Sequence, residues 1–341
     1  MLAPLATFES LETHHCVTGS MRHIYTFYDH PISEEMLFGL GEGTGYIYWH
    51  QKGQIPFLGG RASPEPSVEE LVGQRTGVQL TPHTTSSARK AEAVLLELLE
   101  SGTPVMLQVD MGFLPYMDFG GEEYHFGGHV IVACSYDADA ATVLVADRDR
   151  ELHPVPLEAL AQSRGSKHKP FPPKHKWYTF DFTGKRHPTI PEIYTAIANQ
   201  AQLMLNPPIS NIGISGIRKT AQLLPKWRDV LSEVDLRTTL FNAYIFISPV
   251  GGTGGGTFRY MFSRFLDEAA ERIGNDKLHQ AARDFQDIGD RWAALGEWCQ
   301  EMSAAPSPCA YLDEAVEPLQ EIATLEESAW KRLATVVDQG G

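Results

Sequence analysis

The chain has 341 residues, 28 of them basic and 43 acidic, for a formal charge of −15. That balance argues against nucleic acid, whose phosphates need a positive face, and is compatible with a cationic acceptor. The length exceeds that of a usual single domain and the apolar content is ample for a real core, so one large or two medium domains of an ordinary globular protein are expected.

The first predicted element is a helix opening at Cys16. Val17, Met21, Ile24 and Tyr28 fall at i, i+4, i+7 and i+11 and line one face before Pro31 stops the run. Cys16 therefore sits in the first turn, where unpaired backbone N–H groups and the positive end of the helix dipole favour a thiolate. Ser33 to Trp49 reads as a loop-like stretch of acidic residues, glycines and aromatics. In it Tyr46, Tyr48 and Trp49 would wall a pocket or pack in a core. Glu34 or Glu35 would orient a basic amine or begin a helix capped by Ser33. A strand follows at Val105 to Val109, and Gly112 to Tyr124 reads as a loop on the active-site side.

From Gly127 to Arg150 the β-branched runs His129 to Cys134 and Ala141 to Asp147 predict two buried strands, joined by a turn at Asp137-Ala138-Asp139. Such a hairpin brings His129 and Asp147 to the same end, facing each other. Imidazole would take the Cys16 proton through one nitrogen and be held in its tautomer by the carboxylate at the other. Asp149 is the rival orienter. Singly, each residue has a plainer role: a buried small hydrophobe for the cysteine, a satisfied strand-end histidine, a turn-forming aspartate. Together, in Cys, His, Asp order, they point to a cysteine nucleophile.

Beyond this hairpin, Arg164, Lys167, Lys169, Lys174 and Lys176, interleaved with His168 and His175, make a basic stretch whose Pro170, Pro172 and Pro173 support a loop. The domain boundary is placed after it, giving domains at 1–185 and 186–341. The second is read as helical over Ile193 to Leu205, Ala221 to Phe246, Phe258 to Ile273, Lys277 to Ser303 and Glu317 to Asp338, without a repeat. Between two of these helices lies Gly251-Gly252-Thr253-Gly254-Gly255-Gly256-Thr257-Phe258-Arg259, which lacks the lysine of a phosphate loop. A helix-joining turn, a lid over Cys16, and an anion cradle of Gly254, Gly255 and Arg259 all fit it.

Cys16, Cys134, Cys299 and Cys309 are too few and too scattered for a disulfide framework and fit a reduced compartment. His14, His15, Cys16, His23 and His30 crowd one region without the paired spacing of a metal site, so no metal is expected. No apolar run is long enough to span a bilayer, and Met1-Leu2-Ala3-Pro4-Leu5 lacks the basic start of a secretory signal, so the expectation is a cytoplasmic protein that meets no membrane.

His15-Cys16 followed by a helix, Ser33 to Gly43 leading to Tyr46-Ile47-Tyr48-Trp49, Gly128-His129 and Ala146-Asp147 resemble the N-terminal domain of the butirosin biosynthesis protein H family. Beyond about residue 190 the chain resembles the helical domain of unknown function that accompanies it, so the resemblance covers nearly the whole length. It implies an α+β papain-like cysteine-protease or transferase fold over the first domain, with the additional C-terminal all-helical domain covering or completing the site. It also implies an acyltransferase of natural-product biosynthesis that moves an acyl or aminoacyl group from a carrier-protein or pantetheine thioester to a small-molecule amine, with Cys16, His129 and Asp147 as the triad. No cofactor is implied beyond the phosphopantetheine arm of the donor, whose phosphate the glycine cradle with Arg259 would hold. Arg164, Lys167, Lys169, Lys174 and Lys176 would then dock an acidic acyl carrier protein, or form a solvated loop with no partner.

One departure concerns the oxyanion. Papain-like proteases place a glutamine a few residues before the cysteine, and Phe8 to His15 contains none. The Cys16 N–H is one expected donor, with the second from Thr13, His14 or His15. With water as acceptor the same site would be a cysteine amidase or peptidase; with a silent cysteine, a binding protein on the same fold.

Overall fold

The computed structural model describes residues 5, 8–61, 65–121 and 124–340. In chain order these form α1 (Cys16–Phe27), α2 (Glu34–Leu40), β1 (Thr44–Trp49), β2 (Phe57–Arg61), α3 (Val68–Thr76), β3 (Gln79–His83), α4 (Ala88–Glu100), β4 (Val105–Val109), β5 (His129–Asp137), β6 (Thr142–Ala146), β7 (Leu152–Pro156), α5 (Leu157–Gly165) and β8 (Trp177–Asp181). Helices then dominate: α6 (Ile190–Leu205), α7 (Gly213–Leu223), α8 (Trp227–Val230), α9 (Glu233–Ile247), α10 (Arg259–Ile273), α11 (Asp276–Ala304) and α12 (Val316–Gly340). The protein is thus mixed α/β with a helical C-terminal region.

Contacts divide the chain into two compact units, Met1–Leu37 with Val72–His187 and Phe38–Leu71 with Pro188–Gly341. The division expected at 185/186 lies close to the second crossover but omits the first. The stretch read as a loop, Ser33 to Trp49, is in fact α2 and β1, and β1 pairs with β2 inside the second unit. Its glycines and acidic residues hid the alternation of a strand that is buried along most of its length.

The first unit is built on a six-stranded antiparallel sheet in the order β3-β8-β4-β5-β6-β7. Strand alternation sorts the β5 side chains to two faces. Ile131 and Ala133 join Leu95, Leu99 and Leu160 of α4 and α5 in one core, while Val132 and Cys134 pack with Ile24 of α1 and Phe8 in another. β8 went unread because it follows directly on the proline-rich basic stretch. The interruption of the predicted helix over Ala221 to Phe246 has a local cause: Pro225 lies in a 3₁₀ turn and Ser232 caps a new helix by accepting from the Asp235 N–H.

In the second unit one buried ion pair organises the helices. Arg259, fully buried at the start of α10, donates from Nε to Glu326 Oε1 at 2.7 Å and from Nη1 to the Gly45 and Thr257 carbonyls at 2.8 Å each. Glu326 also accepts from the indoles of Trp292 and Trp330, at 3.0 and 2.8 Å. The glycine-rich segment before α10 is closely packed: an added side chain at Gly256 would meet the Gly289 backbone, and Thr257 and Phe258 adopt φ of 55° and 69°. Removing one partner of such a pair leaves an uncompensated buried charge. Glu326→Ala is therefore expected to destabilise the protein by about 3–5 kcal/mol, measurable by denaturant unfolding.

Candidate active site

The N-terminal segment is laid along the end of the sheet by hydrogen bonds to the residues that follow β6. Ser10 Oγ donates to the Asp149 carbonyl and the Thr13 N–H to the Arg148 carbonyl, both at 2.8 Å. Leu11 is held by His23, whose Nε2 lies 2.9 Å from the Leu11 nitrogen; burial pushes that imidazole down to about 4, so it is neutral. The chain then turns into α1 with Cys16 as its first residue and His15 as N-cap. The Thr13 side chain lies against α1 where Gly19 has no Cβ to obstruct it.

Cys16 lies close enough to His129 for its side chain to bear on the imidazole. His129 Nε2 is 2.8 Å from Asp147 Oδ2, both residues being buried, which leaves the other ring nitrogen for the sulfur. Register refines the expected facing pair: Val132 pairs with Ala146, so continuing the ladder sets Asp147 opposite Ile131. His129 reaches the carboxylate diagonally, on the same face, as cross-strand neighbours two residues apart do. The rival Asp149 is engaged elsewhere, at 3.0 Å from His153 Nε2.

Burial alone would lower the His129 imidazole. The charge and hydrogen bond of Asp147, followed by the contact with Cys16, outweigh it and raise the group to about 9. Asp147 moves the opposite way: burial would raise it, and the His129 charge and hydrogen bond hold it below the usual carboxylate range. The remaining thiols differ from Cys16. Burial pushes Cys134 and Cys299 up to about 12, while Cys309 is exposed.

Glu34 does something the sequence did not suggest. It is buried, and its carboxylate accepts from the His14 N–H at 2.9 Å, the His15 N–H at 2.7 Å and the Thr18 hydroxyl at 3.3 Å. Burial raises it to about 7. The His14 and His15 amides are thereby spent, whereas the Thr13 hydroxyl is buried without a partner. Glu35 shares the first turn of α2.

The other expected binding residues belong to the second unit. Tyr46 is buried with its hydroxyl 2.7 Å from Thr220 Oγ1, and the Tyr48 hydroxyl accepts from Trp227 Nε1 at 3.3 Å. Trp49 is 40 % exposed. Gly255 is buried and Gly254 half-buried, and Arg259 turns inward to Glu326 rather than outward to an anion. In the basic stretch Arg164 is also buried, donating to the Ala91 carbonyl, and Lys176 lies 4.7 Å from the Tyr178 ring centre. Lys167, Lys169 and Lys174 are exposed. Among the described residues no cluster of histidine, cysteine and carboxylates suited to a metal ion occurs, and no helix is long and apolar enough to cross a membrane.

The fold and site thus define a mixed α/β protein with a buried histidine–aspartate pair at the end of its antiparallel sheet and a cysteine opening α1 near the imidazole. The chain belongs to the butirosin biosynthesis protein H family: residues 15–148 match the family described as butirosin biosynthesis protein H, N-terminal, and residues 158–333 match the domain of unknown function DUF4872. Membership points to an enzyme related to such biosynthesis. No curated protein matches the chain.

The raised imidazole sets a pH dependence. A histidine raised to about 9 keeps its charge through neutrality and loses it only as pH rises through that value, so a thiolate at Cys16 has its counter-ion at pH 6. In a Cys309→Ser background, iodoacetamide is expected to alkylate Cys16 measurably at pH 6, where an ordinary thiol of pKa about 8.5 is almost wholly protonated. Asp147→Asn should slow that reaction about tenfold at pH 6 and converge on the parent rate above about pH 9.

Proposed function

We propose that the protein is a cysteine-dependent acyltransferase that forms an amide from an acyl thioester and a small-molecule amine. The observation that carries this reading is the buried His129–Asp147 pair at a sheet end, with Cys16 at a helix N-terminus near the imidazole, an arrangement suited to a papain-like nucleophile. Biosynthetic family membership supports transfer over hydrolysis.

In the first step the Cys16 sulfur attacks the thioester carbonyl, and the donor's C–S bond breaks as its thiol leaves with the proton from His129. In the second, the amine attacks the acyl-Cys16 carbonyl while His129 takes its proton and returns it to sulfur as that C–S bond breaks. Asp147 keeps the imidazole oriented and stabilises its charge in both steps. With the His14 and His15 amides bound to Glu34 and the Thr13 hydroxyl packed against Gly19, the Cys16 N–H is the donor we assign to the oxyanion.

Intact-mass measurement tests this directly. Wild type incubated with acyl-pantetheine thioesters should gain a hydroxylamine-labile acyl group that Cys16→Ala does not, discharged faster by an amine than by water. Discharge by water alone would make the protein an amidase or peptidase. No adduct, with a Cys16 resistant to iodoacetamide, would move it to the binding proteins.

We further propose that the donor is delivered by an acidic acyl carrier protein, steered by the exposed Lys167, Lys169 and Lys174. Arg164, being buried, is left out of that surface. Reversing the three lysines to glutamate is expected to raise KM for a carrier-bound donor about tenfold or more at low salt, leaving KM for the free pantetheine thioester unchanged.

A further inference from the structure

The segment between β4 and β5 is closed at its base by Asp110. This fully buried carboxylate accepts from the Gly112 and Phe126 N–H groups at Oδ1, 3.1 Å each, and from Ser166 Oγ at 2.5 Å and His125 Nδ1 at 3.0 Å at Oδ2. Both feet of the segment are thus bonded to one carboxylate, and Tyr116 lies shortly after the first of them. There Tyr116 stacks on His153, ring centres 4.1 Å apart and planes 17° apart, and its hydroxyl donates to Asp147 Oδ2 at 3.0 Å.

That oxygen is the one His129 Nε2 uses, and Asp147 Oδ1 is buried with no partner. Two donors from different segments therefore converge on a single carboxylate oxygen. We propose that Tyr116 is a positioning residue of the Cys16 site: its phenol fixes the rotation of the Asp147 carboxylate and moderates that carboxylate's pull on the His129 proton. The proposal rests on the reading that His129 serves Cys16.

A phenylalanine would fill the same space and stack on the same ring, so packing alone does not require the hydroxyl. Burial, then the charge of Asp147, keep the phenol protonated, so it remains a donor. An O–H bonded to a carboxylate stabilises its negative charge and makes it a weaker acceptor for its other partner. The charged and titratable groups around the pair are Cys16 and the neutral His23 on α1, Arg148 and Asp149 after β6, and His153 on β7. None of these changes when the Tyr116 hydroxyl is removed.

The test reads the His129 imidazole by NMR titration of histidine-labelled full-length protein. It is made in the Cys16→Ala background, so the outcome is independent of whether Cys16 is a nucleophile, which the acyl-adduct measurement decides separately. Tyr116→Phe is expected to raise the His129 midpoint by about half a unit. Tyr116 replaced by 3-fluorotyrosine, a stronger donor of nearly the same shape, should lower it, and this keeps the test open if Tyr116→Phe fails to fold. In the Cys16-containing protein, Tyr116→Phe should reduce kcat for acyl transfer about tenfold with little change in KM for the thioester. An unchanged midpoint in both substituted proteins would overturn the proposal, as would a Tyr116→Phe enzyme with the parent kcat beside a defective Tyr116→Leu, since the ring would then act only by packing.

Discussion

A carboxylate taken out of water has to be paired, and the burial of Asp147 is the constraint around which the first unit is arranged. Its partner His129 is buried as well, so neither group is satisfied by solvent and each fixes the other's charge state. The neighbouring chain conforms to the pair: the Ser10 to Thr13 segment is bonded to residues 148 and 149, and α1 is tied to β5 through Ser20 Oγ and the Val130 carbonyl at 3.3 Å. A sulfur at the first position of that helix then meets the imidazole with no further adjustment.

Glu34 solves a second problem of the same kind. Where a chain bends into a helix, its leading N–H groups lack backbone partners. At the corner before Cys16 two of them are answered by one carboxylate from α2, itself held near neutrality by burial. The corner is thus held in place by the carboxylate. If Cys16 is the nucleophile we propose, a fixed corner beside it would favour a single attack geometry, which counts for more in the transition state than in the ground state.

Much of this was legible in the sequence. The α1 stripe, the β5–β6 hairpin and the helices α6 and α10–α12 follow from apolar periodicity, which survives because each of these elements buries one continuous face. The His129–Asp147 pair could be anticipated because both lie on one hairpin, and the place of Cys16 because it opens a helix. The roles of Glu34 and Arg259 could not, since both depend on partners far along the chain: Glu34 meets residues about twenty positions away and Arg259 meets Glu326. A charged residue beside glycines looks the same in sequence whether it faces solvent or a core. Tyr116 fell within the segment read as an active-site loop, but nothing in its spacing distinguishes a tyrosine that bonds a carboxylate from one that merely packs.

The two compact units are not consecutive in the chain, because Phe38–Leu71 departs from the first and returns to it after adding the β1–β2 hairpin to the second. The two family matches, drawn end to end, each include part of both units. A chain ended near residue 185 would carry that hairpin without the helices that cover it, with Tyr46 and Tyr48 stripped of Thr220 and Trp227 and open to solvent. Apolar strands left uncovered in this way are templates for self-association. A gene joining that merely placed one finished domain after another would not yield this connectivity, because the chain enters the second unit twice.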